Sequence, residues 1–123
     1  MADLQERSDL EALVDAIDAV SVRYAERFGI RRDVAWCLLK LTEELGELTQ
    51  AHLKCTGQAR VDGDAHDLKR RFEDEMADVL GQLLVLARLS GTDLGAALDR
   101  KWLRWHPARL SAEAYAAAPS GPS

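Results

Sequence analysis

The sequence predicts an all-α fold, a four-helix bundle, and three observations carry that prediction. Apolar residues recur at three- and four-residue intervals through most of the chain, the spacing of one helix face. No segment alternates apolar and polar residues with the period of two that a half-buried strand requires. Short breaks rich in glycine, aspartate and serine separate the helical runs, and these residues stop and cap helices.

The elements follow in order. Ser8-Asp9-Leu10-Glu11 reads as a capping box that opens the first helix. Its apolar positions Leu10, Leu13, Val14, Ile17, Val20 and Tyr24 lead to Phe28, and Gly29 stops it. Asp33 caps the second helix, which runs to about Thr56 before Gly57. The third begins near Asp64 to Asp67 and ends at Ser90-Gly91. Thr92 or Asp93 caps the fourth, which carries Leu94, Leu98, Trp102 and Trp105 and has to end near Pro107. Trp102 is expected in the core. The domain therefore covers residues 1–110. Residues 111–123 form an Ala/Pro/Ser-rich tail, expected to make a short helical turn and then be disordered. With three tryptophans and leucines at the edges of its helical faces, the domain is expected to complete its core by dimerising.

Composition narrows the function. The chain has 123 residues, 47% apolar and 30% charged, and a formal charge of −5. That is one globular domain with no basic stripe for nucleic acid polymers. No stretch is long and apolar enough to span a membrane, and the start shows no signal-peptide pattern, so a cytoplasmic location is expected. Cys37 and Cys55 lie too far apart on one helix to pair and are expected to be small buried residues in a reducing compartment.

The chemistry lies in two stretches, Leu41-Thr42-Glu43-Glu44-Leu45-Gly46-Glu47-Leu48 and Glu73-Asp74-Glu75-Met76-Ala77-Asp78. Each carries two acids three residues apart, Glu44/Glu47 and Glu75/Asp78, hence one turn apart on one helix face. If the second and third helices form an antiparallel hairpin turning at Val61, Glu44 faces Asp78 and Glu47 faces Glu75. Four acids then converge at one height, a site for a hard divalent cation such as Mg²⁺ or Mn²⁺. A helical wheel at about 100° per residue places both pairs beside the apolar arcs. Those arcs are Val34, Cys37, Leu38, Leu41, Leu45 and Leu48 in the second helix, and Leu68, Phe72, Met76, Val79, Leu83 and Leu86 in the third. Glu43, Glu73 and Asp74 fall toward solvent. Two level pairs bordering a core are hard to dismiss as a merely solvated face.

None of the three histidines has the spacing that would join these acids, so an all-oxygen site and hydrolysis by water are favoured over redox iron. Lys40-Leu41-Thr42-Glu43-Glu44-Leu45-Gly46-Glu47-Leu48 together with Glu75-Met76-Ala77-Asp78-Val79-Leu80 resembles the ExxE…ExxD signature of MazG-like nucleotide pyrophosphohydrolases. The resemblance covers roughly Val34 to Trp105. It implies an all-α fold that dimerises or forms a dimer of dimers, with Mg²⁺ held by Glu44, Glu47, Glu75 and Asp78. It also implies hydrolysis of a nucleoside triphosphate to the monophosphate and pyrophosphate. Lys101 matches a family lysine, whereas Trp105 stands where the family commonly has an asparagine that holds the nucleotide. Trp36 is a candidate to stack on the base, and Lys54, Arg71 and Arg104 are candidates to reach phosphates. Glu47 is assigned as the base that takes a proton from the attacking water: it follows the small Gly46 and lies on the outer side of its pair, toward Trp36. A helical binding or scaffold module that has lost turnover is the alternative, with Trp105 as the feature that raises it.

Overall fold

In the computed structural model, which describes residues 4–117, α1 spans Leu4–Phe28, α2 Val34–Cys55, α3 Ala65–Leu89, α4 Leu94–Lys101 and α5 Ala112–Ala117. Two 3₁₀ turns, Leu103–Trp105 and Pro107–Arg109, join the last two helices. All regular structure among the described residues is helical, as the sequence period predicted. None of these helices is long and apolar enough to cross a membrane.

Local rules set most helix ends. Asp33 accepts a hydrogen bond from the Trp36 amide at 2.8 Å, Asp64 one from Asp67 at 2.9 Å and Asp93 one from Ala96 at 3.0 Å. Each satisfies an amide that the first helical turn would otherwise leave unpaired. α2 and α3 stop at Gly57 (φ 72°) and Gly91 (φ 66°), left-handed positions that glycine takes without steric strain. There the amides of Gln58 and Thr92 reach back to the carbonyls of Leu53 and Ala87, the six-residue closure of a Schellman cap.

Four expectations need correction. Ser8-Asp9 does not open α1, which is already helical at Leu4. Gln5 Nε2 donates to Asp9 Oδ1 at 2.8 Å, an i,i+4 pair that occupies Asp9 along the helix surface. The fourth helix does not run to Trp105: it ends at Lys101 and tightens into a 3₁₀ turn. Pro107 disfavours helical backbone at the preceding residue, and His106 is extended (φ −63°, ψ 132°). Trp102, expected in the core, is 57% exposed beside that early stop. Cys37 is fully buried, but Cys55 is exposed in the last turn of α2. α5 supplies the short helix expected after Ser111, whose Oγ accepts from the Ala114 amide at 3.1 Å. The remainder of the expected tail lies outside the described residues.

α2 and α3 form the antiparallel hairpin, α1 lies mainly along α3, and α4 packs on α1. Cys55 Sγ lies 3.3 Å from the Leu68 carbonyl, and the His52 and Phe72 rings are 6.0 Å apart, so the register is close to symmetric about Val61. A half-buried ion pair, Arg32 to Asp18 at 2.7 Å, ties the start of α2 to α1. The core is thin: Val14, Ala25, Cys37, Ala51, Leu68, Leu84, Val85 and Ala87. The expected apolar arcs are only partly covered, because α1 closes one side of the hairpin. Val34, Leu38, Leu45, Met76 and Leu83 are 37–53% exposed, and so is Leu80 at 50%.

Leu84 is 1% exposed and anchors α3. Leu84→Ala should lower unfolding free energy by about 2–5 kcal/mol, against about 1 kcal/mol for removing the cap with Asp33→Ala. Urea denaturation checks both, and equal losses would contradict this placement of the core.

Candidate metal centre and its cavity

The hairpin register brings the acids together. One carboxylate oxygen from each of Glu44, Glu75 and Asp78 lies within 4.8 Å of the other two. Glu44 and Glu75 are half-buried, whereas Asp78 and Glu47 are exposed. The neighbouring acids face away: Glu43 pairs with Lys40 at 3.2 Å and Glu73 with Lys69 at 3.7 Å. Glu44, Glu75 and Asp78 form the tightest group, and the exposed Glu47 lies against Glu44 and Glu75, so the four expected acids adjoin one another.

Among the described residues no cation forms an ion pair with this cluster. Glu44 Oε2 and Glu75 Oε2 are buried with no hydrogen-bond partner among the described residues. Burial, then the charges of Glu47 and Asp78, push the Glu44 carboxyl up to about 7 from its ordinary 4.5. Burial first, then Glu47, raises Glu75 too. Lys40 is the cation that offsets Glu44, but its ammonium is engaged by Glu43. Orphaned carboxylate oxygens with no nitrogen or sulfur donor among them fit a hard divalent cation such as Mg²⁺ or Mn²⁺. A second cluster, Asp64, His66 and Asp67, is wholly exposed, and Asp64 is already used as the α3 cap.

A cavity of about 500 Å³ opens beside the acids between α1, α2 and α3, within the size range of small-molecule sites. Glu44, Asp78, Lys40, Gln82, Tyr24 and Trp36 line it. Lys40 and Gln82 lie one turn along their helices from Glu44 and Asp78, and Trp36 about two turns from Glu44. Trp36 thus lines the same cavity as the acids. The expectation that Glu47 is the acid nearer Trp36 is wrong: Glu44 shares the cavity wall with Trp36, and Glu47 is one turn beyond it.

The basic candidates fall elsewhere. Lys54 and Arg71 converge on Asp62 at 3.2 and 2.8 Å and pin the hairpin loop, holding the Asp62 carboxyl below its usual range. Lys101 is exposed at the end of α4, and the Arg104 guanidinium lies 4.4 Å over the half-buried Trp105 ring. Neither lines the cavity. α3 continues about 16 Å past Asp78 before the chain turns, and Arg7–Asp93 at 2.7 Å then draws the start of α4 onto α1. Sequence reasoning missed Lys40, Gln82 and the α1 residues Ser21 and Tyr24. The first two had a signal: each lies four residues from an acid, Glu44 or Asp78, on the same helix face.

Compared with known protein families, curated proteins and solved structures, the chain matches none. Its chemistry is therefore read from the cluster and the cavity.

The folded chain holds the Glu44 proton more tightly than the unfolded chain does. This group subtracts nothing below about pH 4.5, and its penalty grows until it is complete above about pH 7. In chelator, Tm should fall across that window, and Glu44→Gln should flatten the fall. Millimolar Mg²⁺ should raise Tm at pH 8, because a ligand of the folded state alone stabilises it. The Glu44→Gln/Glu75→Gln double variant should lose that rise. Identical melts with and without Mg²⁺ would count against the metal centre.

Proposed function

We propose that the protein is a Mg²⁺-dependent nucleoside triphosphate pyrophosphohydrolase, releasing the nucleoside monophosphate and pyrophosphate. The observation that carries this reading is a cavity lined by Glu44 and Asp78, beside the unpaired Glu44 and Glu75 oxygens, with Trp36 on the same wall about two helical turns from Glu44. A divalent cation at the acids would turn an anionic cluster into a phosphate-binding one, and Trp36 offers a face on which a base can stack.

Glu44, Glu75 and Asp78 would hold Mg²⁺, and the same donors accept Mn²⁺. The metal, when bound, neutralises phosphate oxygens and favours in-line attack. Glu47, exposed and outside the group of three, is the acid left to take a proton from water. The water oxygen bonds to the α-phosphorus, the bond from that phosphorus to the α,β-bridging oxygen breaks, and pyrophosphate leaves with the electron pair. Lys101 and Arg104 would contact phosphates only if a second copy brought them there. The exposed Leu38, Leu45, Met76 and Leu80 form an apolar face that a homodimer, or a dimer of dimers, would cover.

One observation favours a second reading, a binding or scaffold module of the same fold without turnover. Trp105, stacked under Arg104, offers one indole N–H donor and no acceptor where an asparagine amide would offer both.

Pyrophosphate release from a panel of nucleoside triphosphates separates the two readings. With Mg²⁺ the wild type should turn over, and Glu44→Gln and Asp78→Asn should each lose activity by about 10²-fold or more while remaining folded. Glu47→Gln should lose turnover yet still bind nucleotide with Mg²⁺ in calorimetry. In ¹⁸O-water the label should enter the monophosphate alone. Full activity in either metal-site variant would refute the assignment.

A further inference from the structure

The Gln82 side chain is a polar group that the proposed reaction does not use. Its Oε1 is buried and has no hydrogen-bond partner among the described residues, although Gln82 lines the cavity. A buried carbonyl left without a donor is unfavourable, and native structures rarely keep one without a use. The donors that share the cavity wall leave it unpaired: Lys40 is turned to Glu43, and no bond joins Ser21, Tyr24 or Trp36 to it. Ile17 of α1 lies beside Gly81, and the buried Val85 follows one turn on along α3.

Position along the helices says what the missing donor is. Gln82 lies four residues beyond Asp78 on α3, about 5.4 Å or one turn from the acids. Trp36 lies eight residues before Glu44 on α2, about twice as far. A ligand anchored by its phosphates at the acids and by an aromatic ring at Trp36 must therefore place its middle beside Gln82. Ionised phosphates carry no hydrogen-bond donor. In a nucleoside triphosphate the first donors beyond the α-phosphate are the sugar hydroxyls, and the base follows one ring later.

We infer that Gln82 is a specificity-determining residue whose side-chain carbonyl accepts a hydrogen bond from a hydroxyl of the nucleotide sugar. The inference rests on the proposed pyrophosphohydrolase activity and adds to it how the sugar is read. Substrates lacking that hydroxyl leave the carbonyl buried and unpaired, which is how a polar pocket rejects an analogue missing one group.

The test compares kcat/KM for ribo-, 2′-deoxy-, 3′-deoxy- and 2′,3′-dideoxynucleoside triphosphates of one base. Wild type, Gln82→Leu and Gln82→Met are assayed, with thermal melts showing that each is folded. Wild type should use the dideoxy compound about tenfold or more less well than the best of the series. Both variants should close that gap to about twofold, mainly by improving the dideoxy substrate, and the two singly deoxygenated compounds identify the hydroxyl. Wild-type turnover that is indifferent to both hydroxyls, or a gap that persists in the folded variants, would overturn the inference while leaving the reaction intact. No hydrolysis of any triphosphate by wild type would remove the reaction and the inference together.

Discussion

Repulsion between half-buried carboxylates is the constraint around which the molecule is arranged. Glu44 and Glu75 approach from facing helices, each with a buried oxygen that has no hydrogen-bond partner among the described residues. Burial and mutual charge hold the Glu44 proton on far above its ordinary range. A fold built only for stability would place leucine there or turn the acids outward, as it does Glu43 and Glu73. The hairpin does the reverse, and its register, fixed by Asp33, Asp64 and the glycine stop at Gly57, keeps the acids level. Such an arrangement is stabilised by a cation and penalised without one.

The rest of the molecule supports that cluster economically. α1 covers one side of the hairpin and closes the cavity, while Leu38, Leu45, Met76 and Leu80 are left at about half exposure. The small fully buried core, Leu84 and Cys37, sits near the cavity rather than beneath the acids. Stability and site geometry therefore draw on the same two helices. Changes at the α1–α3 contact should reach the cavity through Ile17, Tyr24 and Gln82.

Much of this was legible in the sequence because it depends on local rules. The aspartate caps, the glycine stops and the hairpin symmetric about Val61 need only neighbouring residues, and they place Glu44 opposite Asp78. What failed depends on where separate elements meet. Ser8 resembles a cap, but nothing local shows that the helix is already under way at Leu4. Lys54 was assigned by its chemistry and Lys101 by the family resemblance, yet a loop aspartate faces Lys54 and α4 turns onto α1. Gln82 and Lys40 were overlooked because an amide and a lysine on amphipathic helices look solvated until α1 is set over them. The wheel put Leu45 and Met76 in a core by assuming every apolar arc is covered within one chain.

The most direct measurement is anomalous diffraction from crystals grown with Mn²⁺ and a nucleoside triphosphate whose α,β-bridging oxygen is replaced by an imido group. The account predicts a manganese peak among the Glu44, Glu75 and Asp78 carboxylates, with the sugar beside Gln82 and the base toward Trp36. A peak elsewhere, or nucleotide bound with the acids empty, would contradict it.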